Sequence, residues 1–206
     1  MGFKSSYQCL FEMAYPVEFN MEDFKKLKSF SNKQKYAKEK LLGKLGAGSA
    51  RAVFKIDDEK VLKVAVNEKG IAQNEQEAEG YKQNYDILAR VFDVDKDDMW
   101  LEMELAKKVT KSRFKTLTGV SLDDLQAYLI YRDRGSRFID KDLIAKLDEN
   151  GFIQDLMSFV GDYDYSIPGD FARASTYGEV LRDGKPKIVV IDFGLSKDVL
   201  DTYYRR

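Results

Sequence analysis

The sequence has no histidine among its 206 residues and a single cysteine, Cys9. Without histidine it cannot form the Ser-His-Asp or Cys-His arrangements of many hydrolases, and with one cysteine it also lacks the ligands of the common zinc sites. A lone cysteine excludes an internal disulfide and fits a reducing compartment. We therefore expect a cytoplasmic protein that uses neither kind of catalysis.

Membrane and secretion signals are missing as well. No apolar run approaches the length of a membrane span, and the first residues lack the basic region and apolar core of a signal peptide. Residues 1–6 fit the loose myristoylation pattern, but such short patterns recur by chance, so we do not expect lipidation. Acids and bases are interspersed and the net charge is −1, which predicts neither a nucleic-acid nor a membrane partner.

The chain also has only three prolines, and it contains no Pro/Gly-rich linker, internal repeat or low-complexity tract. Its length suits one compact domain or two small lobes that share a cleft. A hydrophobic content of 44% is ordinary for a protein with a real core. We therefore expect any lobes to form one cooperative unit around the cleft.

Among the features that are present, an apolar run at residues 188–191 predicts a buried strand that places the carboxylate of Asp192 at its exit. A carboxylate in that position can hold a metal ion. Farther upstream, Gly46 and Gly48 precede another apolar strand. A turn of this kind either closes over phosphates or is a plain hairpin.

Lys63 lies in the middle of the apolar run at residues 61–66. Because lysine is rarely buried without a partner, it either points to solvent or points inward to a carboxylate, and we favour the inward position. The segment at residues 72–81 is helix-friendly and rich in acids. Since Glu75 and Glu77 point to different helix faces, we expect Glu77 to pair with Lys63 and keep Glu75 as the alternative.

The order of these features resembles the protein-kinase-like superfamily: a glycine-rich hairpin, a strand lysine, a helix glutamate, a hinge-like segment at residues 100–106 and Asp-Phe-Gly at residues 192–194. Three short segments are also similar to an atypical kinase-like group of tailed phages. They are Gly-Ser-Ala-Arg at 48–51, Leu-Lys-Val-Ala at 62–65 and Lys-Gly-Ile-Ala-Gln-Asn-Glu at 69–75. The matches cover residues 42–106 well and residues 168–204 in part.

This resemblance implies an α+β, two-lobed protein-kinase-like fold, with a small antiparallel-sheet lobe and a reduced, mostly helical large lobe. We expect a partly helical N-terminal extension over residues 1–40 and the small lobe over residues 41–105. Residues 106–206 would form the large lobe, with a catalytic-like loop and the Asp-Phe-Gly.

The resemblance also assigns roles to residues around the cleft. It implies that ATP binds there with Mg²⁺, that Lys63 contacts phosphate while held by Glu77, and that Asp192 carries the ion. The other nucleotide contacts would come from the glycine-rich hairpin over the phosphates and from main-chain groups of the hinge facing the adenine, namely Gly46, Gly48 and Ser49, then Glu104 and Ala106.

The catalytic loop departs from the kinase pattern, because the sequence has neither His-Arg-Asp nor the asparagine five positions later. Asp170 is the candidate base that orients the acceptor hydroxyl, with Asp162 or Asp164 as a substitute if the loop is built differently. The residue five positions after Asp170 is Ser175, a neutral and weaker ligand for Mg²⁺ than asparagine. Arg173 either approaches the transferred phosphate or forms a surface ion pair.

Two further departures concern the ends of the pattern. Arg51 occupies the place of the third glycine of the phosphate loop, where it either crowds the phosphates or contacts them. No Ala-Pro-Glu follows Gly194 in this sequence, so we do not expect the peptide-docking subdomain of a full protein kinase.

Helical spacing and turn residues predict the remaining elements. We expect one or two amphipathic helices over residues 21–42, and three helical stretches in the large lobe, beginning at a Ser121 N-cap, near residue 143 and after residue 151. Asp183 and Gly184 predict a tight hairpin over residues 179–188. A closing helix capped by Ser196 should end the chain.

The function that we expect is Mg²⁺-dependent phosphoryl transfer from ATP to an unknown protein or small-molecule acceptor, in the host cytoplasm if the chain is phage-encoded. Nucleotidyl transfer on the same scaffold is an alternative. A pseudokinase or virion-associated interaction protein with little or no catalysis is the alternative from another class, motivated by Arg51 and the missing motifs. Only scattered lysines would support nucleic-acid binding, so we expect no such partner.

Overall fold

A computed structural model describes residue 16 and residues 18–135, 139–162 and 168–205, with the side chains of residues 162, 168 and 169 excepted. Asp164 lies outside the described residues, and so does the side chain of Asp162. No helix in the described ranges is both long and apolar enough to cross a membrane.

Five antiparallel strands form the sheet of the small lobe, in the order β1-β2-β3-β5-β4. They are β1 (Gly43–Ala47), β2 (Arg51–Lys55), β3 (Lys60–Ala65), β4 (Val91–Val94) and β5 (Trp100–Glu104). The central strand β3 is buried on both faces. Leu62 and Val64 point into one hydrophobic cluster while Val61 points into another, which is why the run lacks polar alternation.

Two helices, α1 (Met21–Lys26) and α2 (Phe30–Lys40), cover the outer face of this sheet. Phe24 and Trp100 pack edge to face, with ring centroids 6.0 Å apart, so the segment before the sheet shares its core. The side chains of Asn20 and Ser29 cap the two helices by accepting N–H groups of their first turns. The helices predicted for residues 21–42 are confirmed.

The helix α3 (Glu68–Lys82) lies on the cleft side of the sheet and begins at an Asn67 cap. It approaches the sheet closely at Gly70, where an added Cβ would lie 2.2 Å from the Ala50 carbonyl oxygen. The predicted helix at residues 72–81 is therefore confirmed, and it begins one turn earlier than expected.

The large lobe contains six helices within its described part and a small sheet in the order β6-β7-β8. The strands are β6 (Lys107–Lys108), β7 (Tyr177–Arg182) and β8 (Lys185–Val190). The helices are α4 (Lys111–Thr118), α5 (Leu122–Arg134), α6 (Lys141–Asp148), α7 (Gly151–Asp162), α8 (Pro168–Phe171) and α9 (Lys197–Tyr203), with a 3₁₀ turn at Ala174–Thr176.

Local signals placed several of these elements correctly. Ser121 Oγ accepts the Asp124 N–H at 3.0 Å and Ser196 Oγ accepts the Val199 N–H at 3.4 Å, as predicted for N-caps. Asp183 and Gly184 have φ values of 52° and 73°, the left-handed pair of a tight hairpin between β7 and β8. The predicted caps and turn are confirmed.

A single large hydrophobic cluster joins the lobes. It contains Val61, Leu101 and Met103 from the small lobe together with Phe159 and Val190 from the large lobe. The segment between α3 and β4 adds main-chain bonds to β8, since the Ala89 N–H donates to the Val190 oxygen at 2.9 Å. The predicted α+β architecture, with a small antiparallel-sheet lobe and a mostly helical large lobe, is thus confirmed.

Candidate functional site

Four charged side chains meet where the two lobes face each other. Arg51 begins β2, Lys63 lies in β3, Glu77 lies in α3, and Asp192 follows β8. Their side chains carry two positive and two negative charges, which balance. Three of them are almost fully buried, with 6% of Lys63, 7% of Arg51 and 0% of Glu77 exposed. Buried charges at this density require mutual hydrogen bonds.

Lys63 uses its three donors within the protein. Its Nζ lies 2.9 and 2.8 Å from the two carboxylate oxygens of Glu77 and 2.7 Å from the Ile191 carbonyl oxygen. Glu77 Oε1 also accepts the Phe193 N–H at 3.2 Å. The ion pair predicted between Lys63 and Glu77 is present, and Glu75 is exposed on another face of α3.

Arg51 points inward and completes the cluster. Its Nη1 lies 2.8 Å from Glu77 Oε2, and its Nη2 lies 3.0 Å from Glu77 Oε1 and 2.8 Å from Asp192 Oδ1. Nη1 also donates to Asn74 Oδ1 at 3.4 Å. The guanidinium therefore bridges α3 to the Asp-Phe-Gly segment, a direction that the sequence left open.

The pKa values follow from burial and from these neighbours. Burial lowers the pKa of Lys63, and the Arg51 charge lowers it further, against the opposing effect of Glu77. For Asp192, partial desolvation acts to raise the pKa, although 65% of the side chain is exposed. The charges of Arg51 and Lys63 outweigh this effect, and the pKa falls below its ordinary value. Burial disfavours the charged form of Arg51, yet Glu77 and Asp192 raise its pKa overall.

The donor set around Asp192 does not fit a metal ion as the side chains stand. One carboxylate oxygen is bound to Arg51, and no group of three metal-capable acidic or sulfur side chains exists among the described residues. Ser175, the second predicted ligand, is exposed on the 3₁₀ turn, whereas the adjacent Thr176 is buried. Mg²⁺ accepts one or two carboxylates plus phosphates, so an ion here would have to displace the guanidinium.

Asp170, the candidate base, lies in the short helix α8 of the large lobe. About a third of its side chain is exposed, and Oδ1 lies 3.4 Å from Arg173 Nη1, the surface ion pair that was one of two expectations for Arg173. The Thr176 hydroxyl donates to the Asp170 main-chain oxygen at 2.5 Å, and the Thr176 oxygen accepts the Ile191 N–H at 2.9 Å. This chain of bonds ties the Asp170 loop to the Asp192 strand.

The hinge-like segment differs from the expectation in one respect. The main-chain N–H of Glu104 donates to the Arg90 oxygen at 2.8 Å, so that donor does not face the cleft. The Glu104 side chain accepts Arg182 Nη2 at 2.7 Å. At Gly178 an added Cβ would lie 2.3 Å from the Ala106 Cβ and 3.0 Å from Ile191 Cγ2, which places Ala106 against the strand that ends at Asp192.

The glycine-rich hairpin is exposed at its tip. Gly46, Gly48 and Ser49 are all solvent-accessible, and the Gly48 N–H donates to the Arg51 oxygen at 2.9 Å. Asn67 Nδ2 donates to the Ser49 oxygen at 2.8 Å and ties the tip to the start of α3. The tip of the hairpin is therefore bound to Arg51, a member of the charged cluster, and to the start of α3.

Three solved structures show a distant likeness. Yeast (Saccharomyces cerevisiae) SAICAR synthase complexed with SAICAR is 12% identical, with 76% of this chain and 74% of that chain covered and a TM-score of 0.41. The aminoglycoside phosphotransferase APH(2'')-IIa in its streptomycin and ATP complex is 15% identical, with 82% and 71% covered and a TM-score of 0.36. ADP-bound APH(2'')-Ib is 18% identical, with 82% and 71% covered and a TM-score of 0.35. No protein-family model and no curated protein sequence matches the chain.

Proposed function

We propose that the chain binds a nucleotide in the cleft between its lobes and transfers a phosphoryl group to an acceptor that its sequence does not identify. The observation that carries this proposal is a buried lysine held by Glu77 and by the Ile191 oxygen, on the strand that pairs with the second strand of the exposed glycine-rich hairpin. A fixed, partly desolvated ammonium group is suited to neutralising phosphate charge, because electrostatic interactions are stronger away from bulk water.

Each residue then has a physical role in the proposed reaction. Lys63 would exchange its bond to the Ile191 oxygen for a phosphate oxygen, while Glu77 keeps its orientation. Main-chain N–H groups of Gly46 to Ser49 would lie over the phosphates. Asp170 would accept the proton of the acceptor hydroxyl, and Arg173, now its partner, would neutralise charge on the transferred group. Ala106 would contribute main-chain contacts to the adenine.

Magnesium at Asp192 and Ser175 stays a prediction from the sequence. When bound, such an ion neutralises phosphate charge during phosphoryl transfer. Because Arg51 holds Asp192, the proposal assigns no step to the ion.

A non-catalytic interaction protein is the second candidate function. It is supported by Arg51, whose terminal nitrogens bind Glu77, Asn74 and Asp192, and by Lys63, whose three donors are also used within the protein. A cluster that satisfies its own charges has less to gain from an incoming phosphate. This arrangement is the one that a pseudokinase would need to stay folded without nucleotide.

Thermal unfolding with ATP or ADP, with Mg²⁺ or with EDTA, tests the proposed nucleotide binding. At about 100 times the dissociation constant, bound nucleotide should stabilise the protein by about 2.7 kcal/mol. Lys63→Met should abolish that shift, while Lys44→Met, on the exposed β1 strand, should keep it. If no nucleotide shifts the melting temperature under any of these conditions, nucleotide binding is wrong.

Product analysis separates the activities. ADP formed together with a phosphorylated acceptor indicates phosphoryl transfer, and AMP attached to an acceptor indicates nucleotidyl transfer. Nucleotide binding without turnover, or no binding at all, favours the second candidate.

A further inference from the structure

A block of basic residues follows the hinge and is hidden by the balanced charge of the whole chain. Five of the nine residues from 107 to 115 are lysine or arginine, and no aspartate or glutamate occurs between Glu104 and Asp123. Because the net charge of the chain is −1, the rest of the protein carries −6. Positive charge is therefore concentrated in this stretch, and a second basic stretch, with eight lysines and one glutamate, lies at residues 25–44.

The arginine of this block has a structural role. Arg113 Nε and Nη2 each lie 2.7 Å from a carboxylate oxygen of Glu179, which fixes α4 against β7. The four lysines are exposed, and we call them the lysine strip: Lys107, Lys108, Lys111 and Lys115.

Little in the protein neutralises the lysine strip beyond Glu179, which lies opposite Lys107 and already binds Arg113. Lys111 Nζ lies 3.4 Å from Asp123 Oδ1, but both side chains are more than 70% exposed, so this pair is weak. Within the described ranges, neither Lys108 nor Lys115 has an acidic side chain within 4.0 Å. The first turn of α4 also contains Lys111 and Arg113 and no acid, which is unfavourable at a helix N-terminus. An external anion would remove this cost.

The strip begins beside the proposed nucleotide cleft. Lys107 and Lys108 form β6, which pairs with β7 in register with Glu179 and Gly178. At Gly178 the chain also meets Ala106 and Ile191, the residue before Asp192. A partner bound to the strip would therefore lie next to the opening of the cleft.

We propose that the lysine strip docks a short acidic segment of another protein. The helix α4 has eight residues and spans about 12 Å, the length of roughly four extended residues. Phe114, the aromatic side chain within the strip, is fully buried, so no ring is available for base stacking. These features favour a compact acidic peptide over DNA or RNA.

Binding of a fluorescein-labelled hexaglutamate peptide, measured by anisotropy at about 50 mM and 200 mM salt without nucleotide, tests the docking surface. The combined variant Lys108→Glu, Lys111→Glu and Lys115→Glu should weaken binding by about tenfold or more, and added salt should weaken the parent's binding. The matched control Lys28→Glu, Lys35→Glu and Lys38→Glu makes the same charge change in the second basic stretch, in α2 and in the connection before it, and should change binding less than about twofold.

A glutamine version of the strip variant, with far-UV circular dichroism of all proteins, shows that any loss of binding does not come from misfolding. The same anisotropy measurement with a thymidine hexanucleotide supplies the competing outcome. The proposal is overturned if the parent does not bind the peptide at low salt, if both triple variants lose binding equally, or if the oligonucleotide binds more tightly. Because no nucleotide is present, these outcomes are independent of the proposed phosphoryl transfer.

Discussion

Glu77 is the residue on which the charged cluster depends. Its two oxygens accept bonds from Lys63, from Arg51 and from the Phe193 N–H, and its side chain is fully buried. A buried carboxylate with several donors stabilises the fold chiefly because removing it leaves its partners without compensation. Two buried cations would remain beside a single, partly exposed acid, Asp192.

Glu77→Gln should therefore destabilise the protein by about 3–5 kcal/mol, because Lys63 and Arg51 lose the charge that both contact. Urea unfolding followed by circular dichroism measures the change. Glu75→Gln is the control, since it makes the same substitution at an exposed position of the same helix and should cost no more than about 0.5 kcal/mol. Equal effects of the two substitutions would show that the cluster does not stabilise the fold.

Arg51 decides whether Asp192 is available to a metal ion. Arg51→Ala should free Asp192 Oδ1 and remove one positive charge, so Mg²⁺ or Mn²⁺ should raise the melting temperature of the variant more than that of the parent. Adding Asp192→Asn to the variant should abolish the response. If the parent responds to the ions as strongly as Arg51→Ala does, the guanidinium does not compete with metal.

These residues show what the sequence can and cannot predict at this scale. A lysine inside an apolar strand requires a carboxylate, and helical spacing separates Glu77 from Glu75, so their pairing follows from local rules. The direction of Arg51 depends on Asp192, which lies 141 positions later in the sequence. No local pattern contains that contact, and sequence reasoning left Arg51 between crowding and contacting phosphate.

At the scale of elements, the sequence again predicts the features that depend on local contacts and misses those that depend on tertiary contacts. Caps and the tight hairpin are set by side chains that bond their own neighbours, as at Ser121 and Gly184, and the sequence predicts them. The short strand β6 exists only because β7 pairs with it, and α4 has a mostly polar sequence fixed to β7 through Arg113. Neither was predicted, because their stability comes from tertiary contacts.

The contact between α5 and α6 should make the free energy of unfolding depend on pH in the alkaline range. Tyr128 Oη donates to Asp148 Oδ1 at 2.5 Å, and burial together with this bond raises the pKa of Tyr128 to about 12. An unfolded tyrosine ionises near pH 10, so this contribution is fully present below about pH 10 and is lost as the pH rises towards 12.

Tyr128→Phe should consequently be less stable than the parent by about 1 kcal/mol at neutral pH, and the difference should shrink between pH 10 and about 12. Urea unfolding of both proteins at a series of pH values measures it, and subtracting the two curves cancels the titration of all other groups. A difference that stays constant with pH would contradict a raised Tyr128 pKa.

At the scale of the whole molecule, the lobes are joined by apolar packing and by polar bonds. The largest hydrophobic cluster contains side chains from both lobes, such as Met103 and Phe159. Arg51 and Lys63 add bonds from the small lobe to Asp192 and Ile191 beyond β8. Separating the lobes would expose this shared core and break buried ion pairs, so neither lobe should remain folded without the other.

The single tryptophan allows a direct test of that coupling. Trp100 is 1% exposed and lies in the second hydrophobic cluster, between the small-lobe sheet and α1, while most helical residues belong to the large lobe. Urea unfolding should give the same midpoint by tryptophan fluorescence, which reports the small lobe, and by circular dichroism at helix wavelengths. If the two midpoints differ, the lobes unfold separately, and the hydrophobic cluster that contains side chains from both lobes does not couple them. The Glu77→Gln variant sharpens the comparison, because it removes the charge that orients Lys63 and Arg51 towards the large lobe and leaves the apolar contact in place. Its two midpoints should move together to lower urea if the shared core alone is sufficient to keep the lobes cooperative.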